Sequence, residues 1–154
     1  MSCWLVACAS LPIPGQPSVK STAQEFLAVY AARNDFEALM DYYADEAQLE
    51  DLIFGHLAEN KAQISAFLNW NDGKFSLPDG PPALRTTNLN VDGNTVVAQG
   101  HFTPFYYDGN SHGPWKFVII LEFNGAGKII KQTDWINYTP RNKFLGGENR
   151  NLDL

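Results

Sequence analysis

Two acids stand where strands ought to be apolar. Asp51 closes the run Ala47-Gln-Leu-Glu-Asp51, and Asp134 interrupts Lys128-Ile-Ile-Lys-Gln-Thr-Asp134-Trp-Ile-Asn-Tyr138. Burying a carboxylate without a partner is costly, so an acid in such a place is paired, hydrogen-bonded or engaged in chemistry. The chemistry open to it is proton transfer. Asp51 is the candidate general base, with Asp134 and His101 as acid or orienting partners if they meet across a sheet. The plainer alternatives stay open: Asp51 capping a turn, Asp134 paired with a histidine or an indole N–H, and His101 as a satisfied core histidine. Acid–base work of this kind needs no cofactor, and none is expected. The three histidines lack zinc-site spacing, and Cys3 and Cys8 both fall in the first eight residues, so no metal is expected either.

The elements that must hold these residues follow from periodicity. Ser21-Thr-Ala-Gln24 has capping-box form, and Ala23, Phe26, Leu27 and Tyr30 recur at helical spacing. Asn34-Asp35 breaks that helix and can cap a second, with Phe36, Leu39, Met40 and Tyr43 on one face. Ala47 to Asp51 reads as a short strand. Asn60 caps a third helix carrying Ile64, Phe67 and Leu68, and Asn69 to Pro82 reads as a turn-rich loop. From Ala83 the period becomes two. Leu84–Val91, Thr95–Tyr107, Trp115–Phe123 and Lys128–Tyr138 are separated by Asp92-Gly-Asn94, Asp108-Gly-Asn110 and Asn124-Gly-Ala-Gly127, which predicts a four-stranded antiparallel meander. Pro104 suggests a bulge that bends the sheet. Three helices followed by a sheet that curls over them make an α+β domain over residues 19–139.

The bulk properties fit this reading. At 154 residues, with 45% hydrophobic and 13% aromatic residues, the chain suits one domain with a real core. A formal charge of −6 argues against nucleic acid as the main partner. Residues 1–18 read differently. Leu5-Val-Ala-Cys8 resembles a bacterial lipoprotein cleavage box, and Leu11-Pro-Ile-Pro-Gly-Gln-Pro-Ser18 resembles the tether that follows one. That implies a lipid anchor at Cys8 and a place at the bacterial cell envelope. The basic start and long apolar stretch of a full export signal are missing, so the start reads as mis-assigned or truncated, with a disordered cytoplasmic tail as the alternative. Residues 140–154 are polar and Gly/Asn-rich and are expected to be a flexible tail.

With these elements in order, the chain from Ser21 to Tyr138 resembles the nuclear transport factor 2-like superfamily, a cone-shaped α+β fold with a deep pocket. Tyr43-Ala-Asp45, Glu50-Asp51, Phe54-Gly55 and Ile64-Ser-Ala-Phe67 are similar to bacterial ketosteroid isomerases, and the resemblance puts their catalytic base on Asp51. It also puts the isomerase oxyanion donors on Leu27 and Ile119, both apolar here, with Tyr30 nearly one turn from the first. Gly127-Lys-Ile129 and Asp134-Trp135 look like the limonene-epoxide-hydrolase branch, in which the aspartate activates water, but Gly100-His-Phe102 stands where that branch has Arg-x-Asp. SnoaL-like polyketide cyclases, which use an aspartate in the same pocket, remain compatible. The resemblance further implies a homodimer through the open face of the sheet.

Strand alternation then assigns the pocket wall. If Ile119 faces inward, so do Trp115, Phe117, Leu121 and Phe123. Ile130, Gln132, Asp134, Ile136 and Tyr138 share one face, and His101, Thr103, Phe105 and Tyr107 another. Leu27, Tyr30, Tyr107, Trp115, Phe117, Ile119, Gln132 and Ile136 are the candidate contacts for a small hydrophobic ligand. His56 and His112 fall in loops and are expected to be solvated. Two functions follow from the same pocket: a cofactor-free isomerase, cyclase, dehydratase or hydrolase, or a non-catalytic ligand-binding or protein-interaction module anchored at the envelope.

Overall fold

A computed structural model of the chain describes residues 17–138. The segment carrying Cys3 and Cys8 and the tail from Thr139 lie outside the described residues. Helix α1 runs Val19–Ala32. Its N-cap lies three residues earlier than the Ser21 capping box predicts, because it is the Ser18 side chain that accepts the Ser21 N–H and caps the helix. Asp35 caps α2 (Phe36–Met40) through the Ala38 N–H, and Asn60 caps α3 (Lys61–Leu68) through the Gln63 N–H. Helix α2 stops short of Tyr43, whose backbone already belongs to strand β1 (Tyr43–Asp51).

The other strands are β2 (His56–Ala58), β3 (Phe75–Ser76), β4 (Leu84–Asp92), β5 (Thr95–Phe102), β6 (Phe105–Tyr107), β7 (Asn110–His112), β8 (Trp115–Phe123) and β9 (Ile129–Ile136). The main sheet has the order β2-β1-β9-β8-β5-β4. Its antiparallel part is the meander the turns predict. Two features depart from it. Strand β1 docks parallel to β9, with Asp51 opposite Asp134 in register. And Thr95–Tyr107 is two strands: the chain leaves the main sheet after Phe102, and β6 joins a separate sheet of order β3-β6-β7. Pro104 lies in that break, where its missing N–H takes no ladder bond. It therefore changes sheets rather than merely bending one.

The core lies between the helices and one face of the main sheet. Phe26, Leu39, Tyr43, Leu49 and Ile64 meet Val96, Ala98, Ile119, Leu121 and Phe123 there, all at 2% exposure or less. Every second residue of β8 from Phe117 to Phe123 is buried, which is the alternation the sequence shows.

Candidate functional site

The register of the parallel pair positions the two acids. Asp51 ends β1 and Asp134 lies beside it on β9, with the Leu52 N–H donating to the Asp134 carbonyl at 3.0 Å to hold the strands together beyond the pair. Parallel partners project to the same face, so both carboxylates point into one cavity of about 160 Å³. They are 1% and 2% exposed.

Their surroundings differ. Asp51 Oδ1 accepts the backbone N–H groups of Ile53 (3.0 Å) and Phe54 (2.8 Å) in the tight turn that Gly55, at φ +78°, completes. Its Oδ2 accepts the Tyr138 hydroxyl. Both oxygens of Asp51 are therefore tied to the protein. Among the described residues, Asp134 receives only the Gln132 side-chain amide, at 2.8 and 3.0 Å to its two oxygens. Gln132 is fixed in turn by the Tyr43 hydroxyl, which donates to Oε1 at 2.5 Å. Burial pushes the Asp134 carboxyl up to about 7; the Gln132 bond partly opposes this, and the charge of Asp51 adds to it. Burial likewise raises the hydroxyls of Tyr30 and Tyr43 above the usual phenol range, and that of Tyr138, where the bond to Asp51 adds to the effect.

Aromatic rings form most of the remaining wall: Tyr30 from α1, Trp70 from a 3₁₀ turn (Trp70–Asp72), Phe102 at the end of β5, Phe105 on β6, Trp115 on β8, and Tyr138. Trp115 packs edge-on against both Tyr138 (4.8 Å between centroids) and Phe105 (5.1 Å). Among the described residues the one cationic side chain on the wall is Arg33, which follows α1. The site is thus two inequivalent acids at one side of a ring-lined cavity.

A family model described as the SnoaL-like domain matches residues 23–132. The chain belongs to the SnoaL-like family. No curated protein matches its sequence. Among solved structures, this SnoaL-like chain is similar to a candidate SnoaL-like polyketide cyclase of Shewanella denitrificans (TM-score 0.65, 16% identity, covering 79% of this chain and 92% of that one). It is also similar to an LEH-like epoxide hydrolase of M. tuberculosis (TM-score 0.61, 14% identity, 77% and 82%). A nuclear transport factor 2-like protein of unknown function from Burkholderia xenovorans gives TM-score 0.59 at 18% identity, covering 81% and 87%. At these identities the likeness is one of fold, and it is the nuclear transport factor 2-like fold.

Of the residues singled out in the SnoaL-like sequence, Asp51, Asp134, Tyr30, Tyr107, Trp115 and Ile136 line the cavity. His101 does not. It lies on the opposite face of the sheet with Lys116 and Trp135, because β5 turns Val96, Ala98 and Phe102 inward. Counting alternation back from Phe105 and Tyr107 fails across the Pro104 break, so His101 and Asp134 form no couple. Four predicted contacts are also displaced. Leu27 faces a groove with Leu84 and Leu89, Phe117 is core beside Phe102, Ile119 is fully buried opposite Asp134, and Gln132 stands behind Asp134. His56 and His112 are not loop residues: His56 is on β2, stacked on Phe67 at 4.0 Å, and His112 is on β7, stacked on Phe105. Sequence reasoning missed Arg33, Trp70 and the Tyr138–Asp51 bond. The aromatic pattern Trp70…Phe75 in the presumed loop was the available signal for a wall there.

Proposed function

We propose that this protein is a cofactor-independent acid–base enzyme acting on a small cyclic compound, with Asp134 as the group that moves the proton. The observation that carries the reading is the pair of adjacent buried acids with unequal environments. A general acid–base works best when it titrates near the operating pH, and the Asp134 carboxyl, raised to about 7, is so placed. Asp51, its oxygens taken by Ile53, Phe54 and Tyr138, instead adds to the effect of burial on Asp134 and orients Tyr138 toward the cavity. The role of base thus passes from Asp51 to Asp134. The cavity is close in size to cavities of roughly 150 Å³ that hold one benzene ring, so the part of the substrate held beside the acids is about one ring. Abstraction of a proton next to a carbonyl gives isomerisation when the proton returns at another carbon, cyclisation when the carbanion attacks an internal carbonyl and the proton passes to the new alkoxide, and dehydration when a β-hydroxyl leaves with the proton as water. Proteins of this fold bear names from cyclase to epoxide hydrolase, which supports the class of chemistry without choosing within it.

The test is hydrogen–deuterium exchange at the carbon beside the carbonyl of cyclic ketones and unsaturated lactones, followed by NMR. Wild type should accelerate exchange for at least one of them, and Asp134→Asn should lower that rate by roughly 10²-fold or more while remaining folded. Equal rates in the two proteins would sink the assignment. A second reading, a non-catalytic binder of the same hydrophobic ligand, is favoured by the apolar Leu27 and Ile119 at the positions of the isomerase oxyanion donors. It predicts ligand binding with no exchange.

A further inference from the structure

Resting on that reading of the cavity, we infer that its ligand carries a carboxylate, held by the side chain of Arg33 on the wall formed by α1 and the 3₁₀ turn. Three features of Arg33 support this. First, its Nε atom is buried and has no hydrogen-bond partner. A guanidinium N–H left unmade in an apolar wall is costly, and it is a donor ready for an acceptor that arrives from outside the protein. Second, among the described residues no carboxylate forms an ion pair with Arg33; the ion pair present there is Lys74–Asp72. What surrounds the guanidinium is aromatic: its central carbon lies 4.4 Å from the Tyr30 ring centroid, 4.7 Å from Trp70 and 4.8 Å from Phe75. The Tyr30 hydroxyl also bonds the guanidinium, but neither it nor the rings neutralise the charge, and Nε is left without an acceptor. Third, Arg33 occupies the left-handed region at the end of α1, φ 53° and ψ 31°, where glycine or asparagine is the ordinary choice. A non-glycine residue there bears a steric cost, and here its side chain becomes part of the cavity wall.

Arg33 is the complement of the two acids. Asp134 acts on the reacting carbon with Asp51 beside it, while Arg33 fixes the far end of a molecule about one ring long. A planar, permanently charged fork suits a carboxylate, which accepts two parallel N–H bonds. The ligand class is therefore a ring-sized, unsaturated or aromatic carboxylic acid, with the carboxylate at Arg33 and the ring among Tyr30, Trp70 and Phe102. The acids also set a limit, because a second anionic group near Asp51 would be repelled. The ligand is a monoanion.

Calorimetric titration of the full chain with benzoate and with benzyl alcohol tests this, using wild type, Arg33→Met and Arg33→Lys. Met keeps the length and apolar stem against the three rings, and Lys keeps the charge but not the fork. Wild type should bind benzoate at least tenfold more tightly than benzyl alcohol. Arg33→Met should lose that preference, its affinity for benzoate falling to that for benzyl alcohol, and Arg33→Lys should fall between. If benzyl alcohol binds wild type as well as benzoate does, or if Arg33→Met keeps the preference, the carboxylate assignment is wrong and the ring-binding cavity stands. If neither probe binds wild type, the cavity reading fails along with it.

Discussion

At Asp134 one proton is subject to opposed influences, and the balance has a consequence for stability. The ordinary value for the group is 3.8, and burial raises it to about 7 in the fold. A folded-state value above the unfolded one means that folding favours the protonated acid. The stabilisation is complete below the unfolded value, near pH 4, and is lost as pH rises through about 7. A separation of about three pH units corresponds to on the order of 4 kcal/mol. Asp134→Asn keeps the shape and an acceptor for Gln132 but removes the titration. Melting curves at pH 5 and pH 8 should therefore show wild type losing on the order of 10 °C more than Asp134→Asn does over that interval. Parallel losses would mean that Asp134 stays ionised in the fold. The position of both acids was legible because a carboxylate breaks an apolar strand visibly. Arg33 was not, because an arginine at the end of a helix reads as an exposed partner of the helix dipole. Its place is decided by Trp70 and Phe75, from a segment with no periodic signal.

Strand β5 shows why elements were easier to read than their faces. Its alternating residues announce a strand, but the face assigned to His101 depended on counting through Pro104, and a change of sheet resets the count. Val96, Ala98 and Phe102 carry the true parity, being the apolar members of the strand that the core accepts. The parallel pairing of β1 with β9 was hidden for a different reason: it joins segments far apart in the chain, and no turn residue marks it. Gly100 on β5 marks a point where strand packing demands glycine. A Cβ there would lie 2.1 Å from the Arg85 carbonyl oxygen and 2.7 Å from Cζ of Phe117, beside the irregularity in β4 between Thr86 and Asn88. The carbonyl belongs to a ladder and cannot withdraw cheaply. Gly100→Ala should cost roughly 1–3 kcal/mol or more as a fall in urea midpoint. Gly125→Ala, with nothing within 4 Å of the new methyl, is the matched control and should leave the midpoint almost unchanged. A null effect at Gly100 would show that β4 can shift away.

For the whole molecule, the sheet has two faces and the described helices serve only one. The inner face of β5, β8 and β9 is core, whereas the outer face carries Val97, Ile120 and Val118 at intermediate exposure and Trp135 at 59%. Val97 stands opposite Ile120, and Val118 lies between Gln99 and Trp135, so these side chains form adjacent cross-strand rows rather than scattered points. A continuous apolar strip with an exposed indole is what a protein interface offers. Lys116 at its end, with Arg85 nearby, adds positive charge to a chain whose net charge is −6, while burial and these two cations lower the pKa of His101 and favour its neutral form. Two copies meeting face to face would bury the indoles at the centre and keep the cationic ends at the rim. We therefore propose that the chain forms a homodimer through this face, as the fold-level resemblance implied. Light scattering after gel filtration should give twice the chain mass for wild type and the single mass for Trp135→Glu. That substitution places a charge at the centre of the interface but in water in the monomer, so thermal stability extrapolated to low concentration should be nearly unchanged. A wild-type protein that stays at the mass of one chain across the micromolar range would refute the interface. The strip would then have to be accounted for by another partner.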